Sequence, residues 1–144
     1  MTDMLIANAT DIRKNWSNTC DSVARVRPSF IKRTHDEFVM FSTDNMLQLL
    51  DQVKCPVSVY TEEDATFTIS CDNIDLAENA ASKEEAYVAL ANAILDYANE
   101  YYEKFSLYSK SPNRAEHLPV VTKALLLGDA AKIKEDLLCR SGRT

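Results

Sequence analysis

Apolar positions along this chain recur with two different periods, and the change of period marks its parts. Ile12, Trp16, Cys20 and Val23 follow one another at steps of four, four and three. That spacing lays one apolar stripe along a helix of about four turns. Asn8 stands before the stripe as an outside cap, and Asp11, three residues on, supplies the carboxylate half of a capping box. Arg13, Lys14, Asp21 and Arg25 fall off the stripe and face solvent or a partner. Pro28 then ends the helix, because the residue before a proline is driven toward extended geometry. Strands are predicted over residues 30–34 and 38–42, joined through His35, Asp36 and Glu37 with no glycine to fix the turn. Thr43 caps a short helix that carries Met46, Leu47, Leu50 and Val53.

The second strand reads Phe38-Val39-Met40-Phe41, apolar at every position. Successive strand side chains point to opposite faces, so both faces of this strand need cover. The preceding helix covers one. A unit of about fifty residues has little else to offer the other face. A second copy of the chain is therefore expected there, with Phe38, Val39, Met40 and Phe41 at the interface.

The order of capped helix, tight hairpin and short helix resembles the DNA-binding half of Phd/YefM-type antitoxins from bacterial toxin–antitoxin pairs. The residues carrying the resemblance are the run from Asn8 through Ala9, Thr10, Asp11, Ile12, Arg13, Lys14 and Asn15 to Trp16. With them go Pro28-Ser29-Phe30-Ile31-Lys32-Arg33, Phe38-Val39-Met40-Phe41-Ser42, and Met46, Leu47 and Leu50. They cover roughly the first third of the chain. The family has a glycine in the hairpin turn, where this sequence has His35-Asp36. The resemblance implies a homodimer paired through its sheet, presenting the starts of the first helices to operator DNA. It places Lys14 and Arg33 on phosphates, and Arg13, with Asn8, Thr10 or Asn15, at base edges. On charge alone, Arg13 and Lys14 read as a solvated helix face.

Downstream, residues 52–56 form a junction, and a strand is expected over residues 57–60. Residues 66–71 alternate, with Phe67, Ile69 and Cys71 on one face and hydroxyls on the other, as in a half-buried antiparallel strand. Ile74 and Leu76 suggest a third short strand. Ser82, with Glu85 three residues on, opens the longest helix, expected to reach about Tyr108 with Leu90, Ile94, Ala98, Tyr101, Phe105 and Tyr108 as its core stripe. Residues 116–127 are helical with Pro119 in the first turn or at a kink, Gly128 caps them, and a last helix spans residues 129–139. Residues 141–144 read as a frayed tail. Leu125, Leu126, Ile133, Leu137 and Leu138 either close the core of this half or clasp a partner toxin, with Asp129, Glu135 and Asp136 meeting its basic surface. The expectation is thus an α+β chain with a dimerisation and DNA-binding domain over residues 1–54. A second domain over residues 55–144 runs from α+β to α-helical and is the toxin-binding part.

Charge sharpens this division. Of the chain's formal net charge of −6, residues 1–54 contribute nothing, with seven basic and seven acidic groups. Residues 55–144 carry nine basic and fifteen acidic groups, so the whole excess lies there. A neutral front half and an acidic back half suit an anionic and a cationic partner respectively. The four cysteines, Cys20, Cys55, Cys71 and Cys139, have no CxxC spacing and read as reduced thiols of a cytoplasmic protein. No signal peptide and no membrane-spanning run are expected.

His35 and His117 lack partners at metal-ligand spacing, and no phosphate loop or nucleophile elbow is present. The sequence points to a non-enzyme with no cofactor and no metal. Its expected role is an antitoxin that represses its own operon and neutralises a toxin, such as a RelE-like ribonuclease. The alternative is a protein-interaction module that keeps the dimer fold without binding DNA.

Overall fold

The computed structural model describes residues 6–140, with the last two described by backbone alone. The chain divides into two compact units, Met1–Leu49 and Leu50–Thr144. Both are mixtures of helix and strand, and each is built on its own sheet.

The first unit opens with strand β1 (Ile6–Asn8), which the apolar pattern does not announce. It lies parallel to β2 (Ser29–Arg33), with Ile6 opposite Phe30 and Asn8 opposite Lys32. Strand β3 (Asp36–Met40) pairs antiparallel with the other edge of β2 and ends before Phe41, two residues earlier than expected. Asn8 caps the helix that follows, its side-chain oxygen accepting from the Thr10 N–H at 2.7 Å. The expected single helix is instead two: α1 (Ala9–Lys14) and α2 (Trp16–Arg25). The break falls at Asn15, whose side-chain amide donates to the Asp11 carbonyl at 3.0 Å. Such a side chain competes with the backbone ladder and interrupts the helix at that point.

A two-residue turn, Thr34-His35, joins β2 to β3, since Arg33 sits opposite Asp36. Thr34 takes the left-handed conformation at φ 52°, which a glycine would adopt without strain. A β-branched residue there carries a strain of order 1 kcal/mol, held by the ladder on both sides. Helix α3 (Thr43–Leu49) is capped by Ser42 and not by Thr43. The Ser42 hydroxyl accepts from the Asn45 N–H, and its carbonyl accepts the first helical bond from Met46.

In the second unit, strands β4 (Cys55–Thr61), β5 (Phe67–Cys71) and β6 (Leu76–Ala80) form an antiparallel meander. A short β7 (Leu138–Arg140) joins the free edge of β4 in parallel. The last helix was expected over residues 129–139, but α7 (Ala130–Asp136) stops earlier and residues 138 and 139 fall in the strand. Helix α4 (Lys83–Glu103) starts on the expected cap, with the Ser82 hydroxyl accepting from the Glu85 N–H. It lies across β5 and β6 and is covered in turn by α6 (Leu118–Leu127) and α7. The stretch expected to prolong α4 is a separate turn of helix, α5 (Phe105–Tyr108). Gly128 closes α6 in the left-handed conformation at φ 81°, which costs glycine nothing.

The core of this unit gathers Val57, Ile69, Leu90, Ile94, Tyr101, Val121, Ile133 and Leu137. Cys55 and Cys71 are joined in a disulfide, against the expectation of free thiols. Sixteen residues apart in the chain, they meet because β4 and β5 pair and turn both side chains inward, with Cα atoms 6.0 Å apart. Cys20 is free.

Candidate functional site

The first unit has almost no interior. Among its described residues, only Val23 and Ile31 are buried apolar side chains. Trp16 is 55% exposed, Phe38 48% and Val39 49%, and Val26 and Leu49 are exposed as well. Large apolar side chains exposed singly are unremarkable, but here three of them share one place. Trp16, Phe38 and Val39 line an open groove of about 640 Å³ with Ile12, Ile31 and Met40. Register brings two of these residues together, since Ile31 lies opposite Phe38. The groove is open and mostly apolar.

Of the residues expected at the dimer interface, Phe38 and Val39 are exposed on β3 and Met40 is partly covered. Phe41 lies beyond the strand and is partly buried.

The residues expected to touch DNA all belong to this unit, and all are exposed. They are not equally available. Asn8 spends its side-chain oxygen on the cap, Asn15 spends its amide on the Asp11 carbonyl, and Arg33 pairs with Asp36 at 3.0 Å. Among the described residues, Arg13 and Lys14 take part in no ion pair. Both close the last turn of α1, and Arg13 also lines the apolar groove. Lys32 is not among the residues expected to touch DNA. It is exposed, stands opposite Asn8 and lines a second hollow with Asn8 and Thr34. Only the parallel pairing of β1 with β2 brings it there, and a three-residue strand such as β1 leaves no periodic trace.

In the second unit the structure separates the leucines that were expected either to close the core or to clasp a partner. Ile133 and Leu137 are completely buried, so in this conformation they close the core and do not offer a clasp. Leu125, Leu126 and Leu138 are partly buried.

Lys123 is the unusual buried group. It is 3% exposed, and its ammonium donates to the carbonyls of Val53 at 2.9 Å, Asp51 at 3.3 Å and Asp136 at 3.4 Å. Lys54 donates to the same Asp136 carbonyl at 2.7 Å. Burial, and then the neighbouring Lys54, lower the Lys123 pKa, while Asp51 and Asp136 act the other way. The lysine thus ties residues 51–53 to the end of α7. No cluster of three His, Cys, Asp or Glu side chains among the described residues could hold a metal ion. No described helix is long and apolar enough to cross a membrane.

A family model described as PHD_like, antitoxin of toxin-antitoxin, RelE / RelB, TA system, matches residues 4–139. The chain is also similar to a crystal structure of an antitoxin part of a proposed toxin/antitoxin system from Syntrophomonas wolfei subsp. wolfei. The two are 32% identical and superpose with a TM-score of 0.87 over 94% of this chain and 97% of the other. No curated protein matches the chain.

Proposed function

The chain belongs to the PHD-like family of antitoxins of toxin–antitoxin systems, and from that premise we propose that it works as a homodimer with two jobs. The first unit binds operator DNA and represses the chain's own operon. The second unit neutralises the partner toxin, a RelE-like ribonuclease. The observation that carries the dimer is the open apolar groove around Trp16, Phe38 and Val39.

Magnitudes favour closure by a second copy. Half-exposed Trp16 and Phe38 each leave roughly 100 Å² of ring to cover, about 2.5 kcal/mol apiece. Two-fold symmetry doubles every contact, so the four rings contribute about 10 kcal/mol, which falls within the roughly 4–15 kcal/mol that association costs. Val39 and Met40 on each copy add the surplus. The dimer is therefore concentration-dependent, and single apolar truncations shift it measurably.

Closing the sheet brings two copies of α1 into one assembly, each with Arg13 and Lys14 in its last turn. Lys14 and Lys32 supply phosphate contacts that set register, and Arg13 reads a base edge together with Thr10. The test is a mobility-shift titration on the chain's own promoter at several salt concentrations. Affinity should fall steeply with salt as counterions are released. Arg13→Ala should weaken the promoter more than random DNA. Equal losses on both would remove Arg13 from base recognition. The zero net charge of residues 1–54 favours one second reading, a dimer that has given up DNA. Absence of any promoter shift at low salt would establish that instead.

A further inference from the structure

The outward face of the second unit's sheet is an unpromising docking surface, because its polar groups already satisfy one another. Ser58 and Ser70 both donate to Asp72, and Asn79 donates to Thr66 and Thr68. Helix α4 is different. Its buried face is spent on the core, yet Val88 is 46% exposed, Tyr102 is 68% exposed, and Leu95 between them is only partly buried. These three are spaced by seven residues, two turns of helix, so they form one ridge about 21 Å long on one flank. Leu107, just beyond in α5, is exposed as well. Asn92 and Asn99 run beside the ridge at the same spacing. Glu85, Asp96 and Glu103, all exposed, form the next row round the helix. Over its length α4 carries five acidic residues and one lysine.

We propose that this ridge of α4 is where the partner toxin docks, through a basic surface that presents an apolar strip of its own. The inference rests on the antitoxin assignment and names the surface that does the neutralising. Charge selects the occupant. An apolar seam with a row of carboxylates just beyond its asparagines repels a second copy of the same acidic helix and attracts a cationic protein. A protein that handles RNA is cationic for the same reason that any phosphate-binding surface is. The apolar ridge supplies lasting contact, and the acidic row speeds encounter. The buried Ile133 and Leu137 stay where they are.

The test uses the full chain and the product of its adjacent gene, purified together and separately, with binding measured by surface-immobilised kinetics and neutralisation by growth rescue. Val88→Asp with Tyr102→Asp should weaken binding at least 100-fold and abolish rescue. Tyr102→Ala alone, a change at an exposed site that leaves the core untouched, should weaken it about tenfold. Reversing Glu85, Asp96 and Glu103 to lysine should slow association at least tenfold and remove its salt dependence. If the unaltered chain binds and rescues while both ridge variants do so equally well, the ridge is not the site and the antitoxin assignment stands. If the ridge variants lower the chain's own oligomeric mass and leave toxin binding intact, the face joins copies of this chain and the proposal is wrong. If the unaltered chain neither binds nor rescues, the assignment itself fails, and the ridge proposal with it.

Discussion

Replacing Lys123 with methionine sets two opposed effects against each other, and the structure decides between them. Methionine removes an ammonium whose burial is unfavourable, as its lowered pKa records; exchanging a buried charge for an apolar group of similar volume is often harmless. Here the charge holds three carbonyls. That of Asp136 keeps Lys54 as a donor after the change, but those of Asp51 and Val53 lose theirs. A hydrogen bond to a charged group contributes about 1.5–3 kcal/mol, and a carbonyl stranded away from water costs about 1–3 kcal/mol. Asp51 and Gln52 are exposed, so water recovers part of the loss at Asp51, whereas Val53 is partly covered. The expected net destabilisation is about 2–3 kcal/mol, a fall of about 10–20 °C in Tm for a unit of this size. Urea and thermal unfolding followed by far-UV circular dichroism would measure it, since α4, α6 and α7 lie in the second unit. A variant as stable as the parent would refute the reasoning and make Lys123 a tolerated charge with no role as a tie.

Phe38→Ala should weaken dimerisation by three to four decades, because about 2.5 kcal/mol is lost on each copy; dilution in an analytical ultracentrifuge would show it, and an unchanged dimer constant would place the interface elsewhere. Thr34→Gly should stabilise the first unit by about 0.5–1 kcal/mol by relieving the left-handed strain, read as a rise in the urea midpoint of Trp16 fluorescence; a fall in that midpoint would mean that the threonine side chain contributes something the backbone argument omits. Burial raises the phenol pKa of Tyr97 and of Tyr101. Above the ordinary tyrosine value of 10.0 the folded state therefore holds protons that the unfolded state has released, so the second unit should lose stability as pH rises through that region. Tyr101→Phe should flatten this slope, at the cost of the hydrogen bond to the Arg114 carbonyl; a slope identical in the variant would contradict the assignment.

What could be read from the sequence was what short-range chemistry encodes. Ser82 and Glu85 announce α4 within four residues, Gly128 closes α6 by its own backbone freedom, and Asn8 caps α1 as its position demands. The alternation of Phe67, Ile69 and Cys71 placed a strand and its buried face correctly. What escaped depends on partners distant in the chain. β1 exists only because β2 lies beside it, and β7 only because β4 offers an edge. The apolar residues near the C-terminus looked like one more helix for that reason. The link between Cys55 and Cys71 is invisible until β4 and β5 are in register. The break at Asn15 is a local event that helical periodicity hides, since Ile12 and Trp16 keep their spacing across it. Exposure of Phe38 and Val39 was legible in outline: too few residues surround the strand to cover both of its faces.

In the proposed dimer, a second copy of the chain closes the uncovered sheet face of the first unit. Sedimentation equilibrium of the full chain across the micromolar range tests it most directly. The expected mass is twice the 16.2 kDa of one chain, with Trp16 emission shifted to the blue on association and to the red on dilution. A single 16.2 kDa species throughout that range, with Trp16 emission independent of concentration, would contradict it.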